Sequence, residues 1–330
     1  MTPSVRFLLS ATLLSVGCGY NDFKEPVKLG GKIVQADVLN HGKEAFMMYC
    51  RACHGDKGNG TGPASFGYRP PPRDFTVGLF KFAAVSPGSL PHDEDLRRIV
   101  KGGLHGTAML AWEVDDADLD AILQYIKTFS PRWKEEPLGD AIVVSADPYG
   151  PAKKAEAIEH GKKVYHGLSQ CLSCHPSYET KQYIYDASKE LSGSPTTDFR
   201  DHMYLSEVKD SDYTDKNYPP DADGNYPHIK LLPPDFLFNE VRSVRDIHDP
   251  KTSYEDIYRI IASGIGGTAM PQWQGSLPET DIWGLAYYVH SLIEMRGTPE
   301  ADALQARLQN APPWTPPVPE KPATPAPKPN

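Results

Sequence analysis

Apolar residues recur with a helical period in two widely separated parts of the chain. Segment 95–109 carries them at Leu96, Ile99 and Val100, and segment 256–270 carries isoleucines at 257, 260 and 261. This spacing places the apolar side chains on one face of a helix. The pattern therefore predicts an amphipathic helix in each segment. A glycine, at 103 and at 264, follows the last periodic residues and suits a helix end that needs a positive φ.

Two further pairs of helices are predicted from similar patterns. Segments 119–129 (LDAILQYIKTF) and 282–292 (IWGLAYYVHSL) match each other and follow acidic residues, which suit the N-terminus of a helix. An aromatic residue also lies four positions after a glycine in two places: Phe46 after Gly42, and Tyr165 after Gly161. Because residues at i and i+4 share one face of a helix, each of these pairs predicts a helix as well.

These matches belong to an internal duplication. Segments 95–109 and 256–270 align at a constant offset of 161 and both end in GTAM, and a tryptophan follows each methionine, at Trp112 and Trp273. The stretch PPRDF at 71–75 is similar to PPDF at 233–236. The prolines predict a stiff, irregular loop in each copy. A duplication of this kind predicts two similar structural units.

The N-terminus has the features of a targeting segment. Arg6 precedes the apolar run FLLSATLLSV, which is too short for an ordinary transmembrane helix and leads to Gly17 and Cys18. Small residues before a cysteine resemble the lipobox of a bacterial lipoprotein, although Ser15 stands where leucine is usual. We interpret residues 1–18 as a signal peptide and Cys18 as a lipid anchor, with a plain secretory signal as the alternative. Either signal places the protein on the periplasmic side of a bacterial membrane.

The other four cysteines form two identical arrangements. CRACH contains Cys50, Cys53 and His54, and CLSCH contains Cys171, Cys174 and His175. C-x-x-C-H is the attachment pattern of c-type haem, because two thiols must reach the vinyl groups on one porphyrin edge and the next residue then offers an imidazole to the iron. The pattern therefore predicts two covalent haem c groups, with both histidines as iron ligands.

Three other uses of these cysteines are less well supported by the sequence. A four-cysteine zinc site does not require a histidine after each pair, and it requires the two pairs to meet in space. A redox dithiol usually lies in a thioredoxin-like βαβ pattern, which is absent from this sequence. Structural disulfides between cysteines so close together are uncommon. Only haem attachment explains the histidine that follows each pair.

The ligand opposite each histidine decides between an electron carrier and a catalyst. Met109 and Met270 both end a GTAM sequence after equivalent predicted helices. The glycine, threonine and alanine are small enough to let the chain approach a porphyrin closely. A methionine is more often a core residue that fills a gap, but the repetition favours iron ligation by both.

The order of helix, C-x-x-C-H, proline-rich loop, helix, methionine loop and closing helix resembles class I c-type cytochromes in tandem. The resemblance implies an all-α fold with two haem domains, at 38–131 and 155–295, in which the first and last helices cross. The crossing residues would be Gly42, Phe46 and Tyr125 in the first domain, and Gly161, Tyr165 and Tyr288 in the second. His175 and Met270 are 95 positions apart, against 55 for His54 and Met109. The second domain therefore carries an insertion, at about 178–230.

The segments outside the two haem domains carry weaker signals. Residues 19–37 are predicted to be an N-terminal tether, residues 132–154 a linker without a clear helix, and residues 296–330 a proline-rich disordered tail. The tyrosine-rich insertion is interpreted as a lid over the second haem, or as a docking surface for a redox partner. Its DADGN stretch resembles part of a calcium loop but lacks the distal glutamate.

The net charge and the predicted haem sites together narrow the range of possible functions. The chain has 34 basic and 43 acidic residues, a net charge of −9, which argues against nucleic acid as a partner. We expect a non-enzymatic electron-transfer protein that works between a membrane respiratory complex or dehydrogenase and a redox protein partner. A dihaem peroxidase-like enzyme and a fixed haem subunit of a larger oxidoreductase complex are the alternatives. Candidates to neutralise haem propionates or close the pockets are Arg69, Arg73, Lys81, Arg98, Trp112 and Trp273.

Overall fold

The computed structural model describes residues 23–317, and these residues are mostly helical. They open with an antiparallel hairpin of β1 (Val27–Leu29) and β2 (Lys32–Val34). The helices are α1 (Ala36–Tyr49), α2 (Arg51–His54), α3 (Asp93–Gly102), α4 (Asp116–Lys127), α5 (Arg132–Glu135), α6 (Lys154–Gly167), α7 (Lys181–Ser192), α8 (Pro250–Ser263), α9 (Glu279–Glu294) and α10 (Pro299–Gln309). Single 3-10 turns lie at Phe75–Val77, Pro151–Lys153 and Cys171–Ser173. The all-α prediction is right apart from the hairpin.

Two hydrophobic cores organise the described residues. One gathers apolar side chains of α1, α3 and α4, with Phe46, Leu119 and Leu123 fully covered. The other gathers those of α6, α8 and α9, with Tyr165 and Tyr258 fully covered. Burying one such side chain contributes about 1.5–3 kcal/mol. The duplicated sequence therefore builds two similar cores, and we call the parts around them the first and second repeats.

In each repeat the first and last helices cross at a glycine. A Cβ at Gly42 in α1 would overlap the carbonyl oxygen of Ala121 in α4. A Cβ at Gly161 in α6 would likewise overlap the carbonyl oxygen of Gly284 in α9. Each glycine is therefore required by the close approach of two backbones, as the resemblance to class I cytochromes implied.

Aromatic rings pack beside each of these crossings. The ring centroids of Phe46 and Tyr125 are 5.4 Å apart, and those of Tyr165 and Tyr288 are 5.5 Å apart, both edge to face. Edge-to-face pairs add about 0.5–1.5 kcal/mol beyond the area they bury. Side-chain hydrogen bonds join the same helices, between Nε2 of His41 and Oδ1 of Asp118 (2.7 Å) and between Nε2 of His160 and Oδ1 of Asp281 (2.8 Å).

The two repeats meet through a pair of equivalent backbone hydrogen bonds. The N–H of Gly266 donates to the carbonyl oxygen of Lys81 (3.2 Å), and the N–H of His105 donates to that of Arg242 (3.1 Å). Lys81 and Arg242 are 161 positions apart, as are His105 and Gly266. Each repeat therefore offers the same acceptor and the same donor to the other, which is the arrangement of a twofold contact.

The predicted tether and linker are ordered where the structure describes them. Residues 23–37 contain the hairpin, and Gly30 donates its N–H to the carbonyl oxygen of Trp133 (2.7 Å). The linker 132–154 begins with α5, in which Trp133 is only 1% exposed. Further on, Ile142 donates its N–H to Ala84 (2.8 Å). The expectation that this segment has no clear helix is therefore corrected at α5, and its role as the linker between the two domains stays a prediction.

The predicted disordered tail begins with a helix. Pro299 takes the first position of α10, where a proline costs no hydrogen bond, and the side chain of Thr298 caps the helix. Ala301 belongs to the core of the second repeat, and Leu304 packs against that core. Residues 1–22, which include the signal peptide and Cys18, and residues 318–330 lie outside the described residues. None of the helices within residues 23–317 is both long and apolar enough to cross a bilayer.

Candidate haem sites

The first C-x-x-C-H motif forms one helical turn at the end of α1. The N–H of Cys50 donates to Phe46 (2.8 Å), and that of His54 donates to Cys50 (3.0 Å). Cys53 is therefore one turn from Cys50, and both thiols can reach one porphyrin edge. Gly55, with a φ of 78°, ends the turn.

The imidazole of His54 is fixed from behind by the proline-rich loop. Its Nδ1 lies 3.0 Å from the carbonyl oxygen of Arg73, and its ring stacks on Phe75 with centroids 4.5 Å apart. Burial lowers the pKa of His54 to about 4, so the imidazole is neutral near pH 7. A neutral ring whose Nδ1–H donates to a carbonyl keeps the lone pair on Nε2, which is the form that binds a metal.

The second motif is built in the same way. Its turn is held by the N–H of His175, which donates to the carbonyl oxygen of Cys171 (2.9 Å). The Nδ1 of His175 lies 3.0 Å from the carbonyl oxygen of Pro234, and its ring stacks on Phe236 at 4.9 Å. Burial lowers the pKa of this histidine as well. The acceptors at 73 and 234 are 161 positions apart, which is the offset of the duplication.

The first methionine loop follows α3. Gly103 leaves the helix with a φ of 67°, and the N–H of Leu104 donates to the carbonyl oxygen of Met109 (2.7 Å). Inside this turn, the hydroxyl of Thr107 donates to Leu104 (2.7 Å) and accepts from the N–H of Met109 (3.1 Å). The threonine of GTAM therefore fixes the backbone of the methionine.

The second methionine loop repeats these bonds. Gly264 leaves α8 with a φ of 68°, and the N–H of Ile265 donates to the carbonyl oxygen of Met270 (3.2 Å). Thr268 donates to Ile265 (2.8 Å) and accepts from the N–H of Met270 (3.1 Å). Both methionines are half-buried, so neither is a fully enclosed core residue.

The donor set fits haem better than the other uses of the cysteines. Within residues 23–317 all four cysteines are free, and no three His, Cys, Asp or Glu side chains gather where they could hold a metal ion. Burial raises the pKa of the Cys50 thiol to about 12 and that of Cys171 to about 11, whereas a reactive dithiol needs a lowered pKa. A neutral, oriented imidazole beside two thiols one turn apart is the set that a c-type haem requires.

The predicted propionate partners are engaged by protein groups. Arg69 forms an ion pair with Asp215 (3.3 Å), and Arg98 forms one with Asp95 (3.2 Å). The cations of Arg73 and Lys81 lie over one tyrosine ring, at 3.7 and 4.7 Å from its centroid. Trp112 is 41% exposed and packs edge-on to Tyr49. Trp273 donates its backbone N–H to the carbonyl oxygen of Ile261. Propionate binding by these residues stays a prediction.

Arg200 in the insertion supports the second C-x-x-C-H motif. The sequence did not reveal this role. Its guanidinium donates to the carbonyl oxygens of Leu172 (2.9 Å) and His175 (2.8 Å), and Glu207 donates its N–H to Cys174 (2.9 Å). This part of the insertion therefore lies across CLSCH, and the interpretation of the insertion as a lid over the haem stays a prediction. A single arginine in a long polar segment carries no pattern that would have identified this role.

The calcium-like stretch forms a local turn. The carboxylate of Asp221 accepts from the backbone N–H groups of Asp223 (3.0 Å) and Asn225 (2.8 Å). These bonds are those of an Asx turn, which closes on its own backbone.

Comparisons with known proteins agree with this chemistry. Residues 37–126 match the family of cytochrome c oxidase, cbb3-type, subunit III. A chain of a reducing HAO-like protein complex from Kuenenia stuttgartiensis is 26% identical, with a TM-score of 0.56, over 77% of this chain and 96% of its own length. No curated protein matches the chain. Residues 37–126, which contain CRACH and Met109, are therefore a c-type cytochrome domain, and the two findings support a role in electron transfer.

Proposed function

We propose that the protein is a dihaem c-type cytochrome that passes electrons between a membrane respiratory complex or dehydrogenase and a redox partner protein. The observation that carries the proposal is the repeated support of the histidine. In each repeat the Nδ1 of the C-x-x-C-H histidine lies 3.0 Å from a carbonyl oxygen of the proline-rich loop. The histidine ring stacks on the phenylalanine that lies two positions after that carbonyl residue. A duplication kept in such detail supports two haem sites of one kind.

The roles of the residues follow from their chemistry. Cys50 and Cys53 would hold one haem through thioether bonds, and Cys171 and Cys174 the other. His54 and His175 would supply nitrogen ligands, and Met109 and Met270 sulfur ligands. A haem held by these residues would supply reversible one-electron chemistry, and a methionine thioether would favour its ferrous form.

The protein's own contribution is to limit rearrangement. Each imidazole is held by a hydrogen bond and a stacked ring, and each methionine backbone by its threonine. Groups fixed in this way before an electron arrives do not need to move when it does, which keeps the barrier to transfer low. Methionine ligation at both irons would also favour a carrier over a peroxidase, which needs an open position at one iron.

A fixed haem subunit of a larger oxidoreductase complex is the second candidate. The similarity to a chain of a reducing HAO-like protein complex, over 96% of that chain, favours it. Both candidates require the same two electron-carrying sites, and they differ in whether the protein leaves its partner. Co-purification with other chains from the native membrane separates them.

The proposal is tested by counting haems and electrons in the purified holoprotein. We expect two covalent haems per chain and two one-electron steps in a reductive titration. Replacing Cys50 and Cys53 by alanine should remove one haem, and replacing Cys171 and Cys174 should remove the other. A count of one, haem that extracts into acid–acetone, or a high-spin haem that turns over peroxide would overturn the proposal.

We further propose that the mature protein is exported and anchored by lipid on Cys18. The support is the apolar run that ends at this odd cysteine. Cys18→Ala should move the protein from the membrane to the soluble fraction of the cell. A variant that stays membrane-bound to the same degree would show that another anchor or a partner holds it.

A further inference from the structure

One part of the insertion in the second repeat extends onto the proline-rich loop of the first repeat. We call residues 211–218 the clasp. Its contacts with the first repeat are Ser65 with Asn217 (2.9 Å), Arg69 with Asp215 (3.3 Å), Asp74 with Lys216 (2.5 Å) and Arg69 with Tyr218. Four polar contacts over so short a segment define a specific docking.

Tyr213 is the buried centre of the clasp. Its side chain is 6% exposed. The guanidinium of Arg73 lies 3.7 Å from its ring centroid, and the ammonium of Lys81 lies 4.7 Å from it. Its hydroxyl donates to the carbonyl oxygen of Gly266 (2.7 Å). Tyr213 therefore contacts the proline-rich loop of the first repeat with its ring and the methionine loop of the second with its hydroxyl.

Two of the three partners of Tyr213, Arg73 and Gly266, belong to the supports of the candidate haem sites. Arg73 supplies the carbonyl oxygen that lies 3.0 Å from the Nδ1 of His54. Gly266 lies between Gly264 and Met270, in the loop that fixes the second methionine, and its own N–H donates to Lys81 (3.2 Å). A continuous set of contacts thus runs from the His54 support, through one tyrosine, to the Met270 loop.

The energetics make the ring hard to replace. Burial lowers the pKa of Lys81 to about 7, so keeping its cation charged there is costly. An aromatic face attracts a desolvated cation and so offsets part of this cost. An aliphatic side chain would leave two crowded cations without that face. A phenylalanine would retain it and lose only the hydrogen bond to Gly266.

We propose that Tyr213 is a positioning residue that ties the His54 support of the first repeat to the Met270 loop of the second, so that the two haem sites form one rigid unit. The inference rests on the proposed dihaem function, since it assigns the tyrosine to the geometry of those two sites.

The test is hydrogen exchange measured by mass spectrometry on the holoprotein, with Tyr213→Leu, Tyr213→Phe and the control Tyr226→Phe in the same insertion. We expect Tyr213→Leu to accelerate exchange about tenfold in peptides covering 72–81 and 264–270 together, because local opening of a lost contact raises exchange. Tyr213→Phe should accelerate the 264–270 peptide alone, and Tyr226→Phe neither. Peptides of α9 serve as the reference for global stability and should not change.

The outcomes separate the inference from the function. Faster exchange in both peptides of Tyr213→Leu, with two haems still attached, supports the inference. Unchanged exchange, or a change confined to one side in Tyr213→Leu, overturns it while a count of two haems leaves the dihaem proposal standing. If Tyr213→Leu fails to fold, Tyr213→Phe decides, because loss of the hydrogen bond must still loosen residues 264–270. A count of one haem in the unmodified protein would overturn the proposed function instead.

Discussion

Gly266 in the second repeat lies so close to the carbonyl oxygen of Phe80 in the first that no Cβ fits between them. The φ of Gly266 is outside the left-handed region, so only this contact forbids a side chain. We predict that Gly266→Ala forces the repeats apart and lowers the free energy of unfolding by about 1–3 kcal/mol, the usual cost of overpacking. Denaturant unfolding of the holoprotein measures this change.

Gly102→Ala is the matched control at the same interface. A Cβ there would meet the side chain of Arg245, with Cγ at 3.0 Å, and a flexible side chain can move aside. Alanine is also favoured over glycine in a helix by up to about 1 kcal/mol. We expect little loss or a small gain of stability. Equal losses in the two variants would show that backbone contact at Gly266 is not the cause.

Methionine ligation predicts a spectroscopic signature. Ferric iron bound to a thioether has a weak absorption in the red, and we expect the oxidised holoprotein to show it. Met109→Ala should remove one part of this band and Met270→Ala another part, and the double variant should lack it. Each change should also lower the potential of one haem, because the ligand that favours ferrous iron is gone. Optical redox titration measures both effects.

Met48→Ala provides the control for these variants. Met48 lies in α1 beside CRACH and is 75% exposed, so it tests a nearby thioether that is not in GTAM. We expect the band and both potentials to stay as in the parent. A band that survives in the Met109 and Met270 double variant would contradict the assignment of these two methionines as iron ligands.

A buried histidine predicts how stability depends on pH. The Nδ1 of His166 lies 2.9 Å from the carbonyl oxygen of Lys162, and its Nε2 accepts the N–H of Tyr178 (3.2 Å). Burial lowers the pKa of His166 to about 3, against about 6.5 in an unfolded chain. Between these values only the unfolded chain binds the proton. Stability is therefore fully present above about pH 6.5 and falls towards pH 3, by up to about 1.4 kcal/mol per pH unit from this group.

His166→Gln tests this slope, because glutamine can still accept the N–H of Tyr178 and does not titrate. Between pH 6.5 and 5, its free energy of unfolding should fall less steeply than that of the parent. His248→Gln, at an exposed site, should retain the parent slope. If all three proteins share one slope in denaturant titrations, the assignment to His166 is wrong.

Trp314 anchors the segment that follows α10. Its indole N–H donates to Gln182 in α7 (2.9 Å), and its ring packs edge to face on Phe199 at 5.4 Å. We predict that Trp314→Ala accelerates amide exchange in α7 without affecting the first repeat. Faster exchange in the first repeat as well would indicate a general loss of stability.

Sequence patterns located the helices that the two repeats share and the candidate ligands, because those features depend on local spacing. The periodic apolar positions of α3 and α8, the glycines at their ends and the two C-x-x-C-H turns were all visible in this way. The acceptors of the two histidines were not, because Arg73 and Pro234 act through backbone carbonyls that any residue possesses. The clasp was missed for a related reason. Tyr213 is one of many tyrosines in a polar insertion, and only the folded chain brings it to Arg73.

The exchanged hydrogen bonds between Lys81 and Gly266 and between Arg242 and His105 have an evolutionary consequence. A surface that meets its own copy across a twofold axis is the interface of a homodimer. The chain thus has the organisation of an ancestral pair of identical subunits fused into one polypeptide. The insertion that carries Tyr213 lies in the second repeat alone, so the two halves of the chain differ there. The two ends of the fused pair are no longer equivalent, so a partner that docks at one end meets a different surface from a partner at the other.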